Sequence, residues 1–127
     1  MANEIHYSFD SADTLYALIR RVEDQYIYDV VDEAFEKLGT WNDARVIACA
    51  VEMTTSGDTH WADFPVVDGG VYFVEIREQT GANPDTDDLS IAQGILYWNG
   101  TEEINDSTMT NIMAHSRSVF NVYDERK

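Results

Sequence analysis

Asp85-Thr86-Asp87-Asp88 packs three carboxylates and a hydroxyl into four consecutive residues, and these are the hard oxygen donors that a calcium ion favours. The spacing lacks the glycine and the distal glutamate of a calcium loop, so a solvated turn is the expected reading. Asp58, His60 and Asp63 form a second loose set of metal-type donors. The chain's three histidines, His6, His60 and His115, stand far apart with no paired spacing. A lone histidine usually has a structural or surface role, so no metal site is assigned to them. Cys49 is the single cysteine. It excludes a disulfide within the chain and any multi-cysteine zinc or iron–sulfur centre, and its apolar surroundings predict a reduced core thiol. No phosphate loop, dinucleotide fingerprint, nucleophile elbow or HExxH pattern occurs, so no catalytic residue and no cofactor is predicted. Trp41, Trp61 and Trp98, with seven tyrosines, could stack on sugar rings if exposed and coplanar, but in a small β domain tryptophans more often fill the core.

Charge narrows the partners. Asp and Glu number 24 against 8 Lys and Arg, a formal net charge of −16. Such a field repels phosphate backbones and anionic lipid headgroups, which excludes free nucleic-acid and membrane-surface binding as functions. It suits a soluble surface, or an acidic face for a basic partner or for divalent cations. The charge is uneven along the chain: −7 for residues 1–44, −7 for 45–100 and only −2 for 101–127. No run of about 18 apolar residues exists to span a membrane. The start, Met1-Ala2-Asn3-Glu4-Ile5-His6-Tyr7, has no basic segment leading into an apolar one, so synthesis in the cytoplasm is expected. Asn99-Gly100-Thr101 and Asn105-Asp106-Ser107 match the glycosylation sequon, but without a secretion signal they read as turns.

The elements that must position these groups are mostly strands. At 127 residues the chain fits one ordinary domain. Leu15, Ala17 and Ile19 alternate with Tyr16, Leu18 and Arg20, which predicts a strand with one fully buried face. Tyr26–Val30 is a second β-prone run, close enough for a hairpin. Val31–Gly39 reads either as a two-turn helix, with Val31, Phe35 and Leu38 on one side and Gly39 as C-cap, or as an irregular strand connection. Arg45–Thr54 is the most apolar run and is assigned to a buried strand, with a helix as the lesser alternative. A short strand at His60–Phe64 stops at Pro65. After the Asp68-Gly69-Gly70 turn, Tyr72, Val74 and Ile76 are placed inside, while Glu75 and Arg77 point to water. Ile91–Trp98 is the next strand, closed by Asn99-Gly100. Six or seven strands over residues 5–100 predict a mainly β protein built as an antiparallel sandwich. In residues 101–127, Asp106-Ser107 could cap a short helix, with an extended alternative carried by Val119, Val122 and Tyr123.

Gly70-Val71-Tyr72-Phe73-Val74-Glu75-Ile76 resembles the glycine–tyrosine strand entry of many immunoglobulin-like sandwiches. The longer pattern runs from Leu15–Arg20 through Tyr26–Val30, Phe35-Glu36, Asp63-Phe64-Pro65, Gly70-Val71-Tyr72, Arg77-Glu78-Gln79 and Gly81 to Gly94 and Trp98-Asn99-Gly100. Over residues 14–100 it resembles small β-sandwich modules in the structural proteins of tailed bacteriophages and prophages. The resemblance implies an immunoglobulin-like sandwich over 1–100 and a C-terminal extension over 101–127. It also implies a non-enzymatic virion component: a capsid decoration, neck, tail or fibre accessory protein. Its partners would be other virion proteins and copies of itself, and it would reside in the virion. The alternative function is a carbohydrate- or receptor-binding sandwich module. The extension lies outside the resemblance, and its low charge lets it approach another acidic copy. Met109, Ile112, Met113, Val119, Phe120 and Tyr123 are therefore the expected assembly contacts.

Overall fold

The structure, a computed structural model, describes residues 4–8 and 14–104. It is mainly β and antiparallel, two packed sheets with one short helix, as the alternation predicts. The strands are β1 (Ile5–Ser8), β2 (Thr14–Arg21), β3 (Ile27–Asp29), β4 (Ala34–Glu36), β5 (Val51–Glu52), β6 (Thr54–Ser56), β7 (Thr59–Ala62), β8 (Gly70–Gln79), β9 (Leu89–Trp98) and β10 (Glu103–Ile104). The helix, α1, is Asp43–Cys49. Sheet A has the order β1-β7-β6. Sheet B has the order β10-β9-β8-β2-β3-β4, with β5 also on β2. The strands exceed the six or seven expected because β4, β5 and β6 are only two or three residues long, too short for alternation to reveal.

Sheet B is built on β2, β8 and β9. β2 pairs with β8 along its whole length, from Thr14 opposite Gln79 to Arg21 opposite Tyr72. β8 pairs with β9 from Gly70 opposite Trp98 to Glu78 opposite Leu89, with a bulge between Ile76 and Arg77. One face of β2 presents Leu15, Ala17 and Ile19 to the main core, which lies between the sheets and includes Ile5, Phe64, Tyr72, Val74, Ile76, Leu96 and Trp98. The other face is buried as well. Tyr16, Leu18 and Ile27 pack there against Val46 and Cys49 of α1. Sheet B is therefore a middle layer, with sheet A on one side and α1 on the other.

That second covering corrects two expectations. Arg45–Thr54 is not one buried strand. Its first part is α1, started by Asn42, whose side-chain oxygen accepts the Arg45 amide at 2.9 Å. Val46 and Cys49 face inward at i, i+3 spacing while Ile47 is exposed. Glu75 and Arg77 do not point to water either. They share the face of Leu18 and Tyr16, their register partners, and are nearly buried. The ambiguous Val31–Gly39 stretch resolves to the strand reading, β4 paired with β3. Its turn is held by Asp29, which accepts the Asp32 amide at 2.9 Å.

Two turns fall on glycines, whereas Gln25 and Glu33 take the left-handed conformation in the turns flanking β3. Gly57 takes φ +64° in the two-residue β6–β7 hairpin, a conformation that costs other residues strain. Gly69 is required by close approach: a Cβ there would sit 3.0 Å from the Asn99 carbonyl carbon and 3.1 Å from the Trp98 oxygen. The Tyr72 hydroxyl donates back to the Asp68 carbonyl, the return bond of a tyrosine corner. Sheet B continues past residue 100, because Glu103 and Ile104 pair with Trp98 and Tyr97. Met109, Ile112, Met113, Val119, Phe120 and Tyr123 lie outside the described residues, as does the helix expected after Asp106.

Candidate functional site

Two clusters of charged side chains among the described residues hold elements of the fold together. Among the described residues, Asp29, Asp32 and Glu36 bring carboxylate oxygens within 4.8 Å of one another, the geometry a cation would need. A guanidinium already stands there. Arg45 Nη1 donates to Asp29 Oδ2 at 3.1 Å and to Glu36 Oε1 at 3.0 Å, and Nη2 donates to the Lys37 carbonyl at 3.0 Å. The Asp29 carboxylate is only 4% exposed. The hydrogen bond to Glu36 is the largest influence raising the Arg45 pKa, which keeps the charge fixed. Arg45 bridges two of the three carboxylates and so ties α1 to the β3–β4 hairpin, leaving the cluster with a net negative charge.

The Asp85–Asp88 run is a structured cap and not the solvated turn expected. Asp88 is buried, and its carboxylate is saturated with donors. Oδ2 accepts the Tyr16 hydroxyl at 2.7 Å and the Asp85 amide at 2.9 Å; Oδ1 accepts the Thr80 amide and hydroxyl, both at 3.3 Å. Burial is the largest influence on Asp88 and raises its pKa, but the hydrogen bonds from Tyr16, Asp85 and Thr80 together outweigh it and hold the carboxyl below the usual range. The same contact, after burial, pushes the Tyr16 phenol well above its ordinary value. The loop is also tied to α1, since Asp43 accepts the Thr86 amide at 3.0 Å.

A carboxyl with a depressed folded pKa adds stability above its unfolded pKa, and that contribution is lost as pH falls through the folded value. Asp88→Asn should therefore cost about 1–3 kcal/mol at neutral pH, the range for weakening a buried hydrogen-bonded group. The gap to wild type should narrow in acid, below the unfolded pKa of about 3.9. Urea melts at pH 7 and pH 3 measure this directly. An equal gap at both pH values would show that the charge on Asp88 contributes nothing.

Among the described residues, which do not include His115, the remaining candidates do not converge. His60 is fully buried, with Nδ1 2.8 Å from the Thr55 hydroxyl oxygen, whereas Asp58 and Asp63 are exposed. His6 is exposed on β1, opposite Trp61. Trp98 is buried and donates from Nε1 to the Val67 carbonyl at 3.1 Å. Trp41 lies in the helix-side cluster with the Arg77 guanidinium 5.9 Å from its ring centre, and Trp61 is half-buried in sheet A. The three rings thus belong to different layers and do not make one stacking platform. Cys49 is fully buried, and burial pushes its thiol up to about 11. We expect disulfide reagents at pH 8 to label it only as fast as the fold opens, with prompt reaction in urea. Fast labelling of the native protein would contradict the packing of α1.

Two of the surface depressions among the described residues lie along strand ends and edges. One, of about 350 Å³, lies between Arg21-Val22-Glu23 and Asp68–Tyr72. The other, of about 300 Å³, is the open mouth of the sandwich. Ile5, His6 and Tyr7 of β1 face Gln93–Leu96 of β9 across it, with Glu4 and Glu103 on its lining. The chain matches no protein-family model, no curated protein and no solved structure. Among the described residues no helix is long and apolar enough to cross a membrane.

What sequence reasoning missed is the pair of interaction centres at Arg45 and Asp88. Asn42-Asp43 was the available signal for the helix that carries Arg45. No local signal marks Asp88, because Tyr16 reaches it from another strand.

Proposed function

We propose that this chain is a non-enzymatic structural component of a bacteriophage virion, a decoration, neck, tail or fibre accessory protein, acting through contacts with copies of itself and other virion proteins. The observation that carries this reading is where the residues of the phage-module resemblance meet. Asp63-Phe64-Pro65, Gly70-Val71-Tyr72 and Trp98-Asn99-Gly100 are separate in sequence but form one joint. The Phe64 ring centre lies 5.1 Å from that of Tyr72 and 4.7 Å from that of Trp98, and Gly69 seats its backbone against Asn99. These three pieces therefore pack as one structural unit.

The test is to raise antibodies against the purified protein and apply them to phage particles banded by density from the source culture. Discrete labelling of the particles is expected. Protein found only in the soluble fraction, with unlabelled particles, overturns the virion reading.

A further inference from the structure

Sheet B ends in β9, most of whose outer edge has no strand partner among the described residues, although the Tyr7 hydroxyl of β1 donates to the Ile91 carbonyl at 3.5 Å. β9 pairs with β8 along its length, but on its other side β10 reaches only Tyr97 and Trp98. Leu89–Leu96 has no strand partner on that side among the described residues. At about 3.4 Å per residue this edge is roughly 27 Å long. Soluble proteins usually protect such an edge with lysine, proline or charge. Here the stretch from Leu89 to Thr101 holds no charged residue and no proline, in a chain with 24 acids and 8 bases. Leu89 is 63% exposed, and Ser90, Gln93 and Gly94 are exposed beside it.

We propose that a second copy of this chain pairs its own β9 antiparallel with this edge, joining two B sheets across a two-fold axis. This rests on the self-assembly reading above and names the surface that would carry it. The occupant follows from charge. Two molecules at −16 repel each other over most of their surfaces. The β9 strip itself carries no charge on either copy, and the carboxylates the contact approaches are Glu4 and Glu103 at its margin. Antiparallel pairing maps Leu89–Leu96 onto itself, so one edge supplies both halves of the contact and satisfies the open backbone groups of each. Glu4 and Glu103 beside the edge oppose close approach, so added salt strengthens the pairing by screening them.

The experiment uses the full chain in sedimentation velocity and amide hydrogen exchange, over about a hundredfold range of concentration chosen to bracket a weak to moderate Kd. Three proteins are compared: wild type, Leu89→Glu with Gln93→Glu, and Val31→Glu with Val66→Glu. All four positions are exposed, and the last pair adds the same charge away from β9. Wild type should dimerise, with β9 amide protection rising with concentration. The β9 variant should dimerise at least about tenfold more weakly, and the control variant should stay close to wild type. Three results overturn the inference: a monomeric wild type, β9 protection independent of concentration (the chain's own residues then cover the edge), or a β9 variant that dimerises as wild type does. The last would leave self-assembly standing on another surface. A monomer that still labels particles overturns this inference alone, and a β9 dimer absent from particles overturns the virion reading alone.

Discussion

Arg45→Met should lower the unfolding free energy by about 3–5 kcal/mol, the loss typical of removing one partner from a buried ion pair. The reason is the charge left behind. Asp29 is 4% exposed at its side chain and would keep only the Asp32 amide at 2.9 Å, while the Lys37 carbonyl would lose its donor. Glu36, at 32% exposure, can turn to water and adds less. The Arg45 side chain is itself 18% exposed, which places the effect toward the lower end of the range. Against a total stability of about 5–15 kcal/mol for an ordinary domain, this leaves a marginal protein. Adding Asp29→Asn should recover part of the loss, because the amide still accepts the Asp32 bond without burying a charge. Urea denaturation of wild type, both single variants and the double variant gives the coupling directly. A loss under about 1 kcal/mol for Arg45→Met would put the pair in the class of surface salt bridges.

Phe64→Ala should cost a comparable amount, about 3–5 kcal/mol, through the cavity left in the joint between the sheets. Phe64 is buried between Tyr72 and Trp98, and the aromatic contacts continue from Tyr72 through Phe35 to Tyr28 at centroid distances of 5.4 and 5.3 Å. Its amide donates to Glu4 Oε1 at 3.0 Å, so the same residue helps anchor the segment entering β1. Phe64→Leu fills much of the space and should cost far less, under about 2 kcal/mol. Val66→Ala, two residues away and 94% exposed, should stay within about 0.5 kcal/mol of wild type. Thermal melts with near-ultraviolet circular dichroism would follow both stability and the Trp98 environment. Equal melting temperatures for Phe64→Ala and Val66→Ala would show that this joint does not hold the sheets together.

The central strands β2, β8 and β9 were legible because their signals are local. Leu15, Ala17 and Ile19 alternate with residues of the other face, and Asp68-Gly69, Gly57-Asp58 and Asn99-Gly100 mark where the chain must reverse. Antiparallel sandwich architecture follows from such alternation joined by short turns. The net charge of −16 likewise argues against phosphate-rich partners without reference to any fold. The strand–helix boundary in Arg45–Thr54 was not legible from periodicity, since an apolar run this short satisfies both periods. Tertiary context decided it: sheet B needed a cover for Tyr16, Leu18 and Ile27, and Val46 and Cys49 supply one only on a helix. That cover also buried Glu75 and Arg77, which alternation alone had turned toward water. Asp88 and Asp29 look like ordinary solvated acids in the sequence. Their burial depends on Tyr16, 72 residues from Asp88, and Arg45, 16 residues from Asp29. Backbone alternation is a short-range property that the sequence carries on its own. The burial of a polar group is set by whichever distant donor the fold brings to it, and only the tertiary structure decides that.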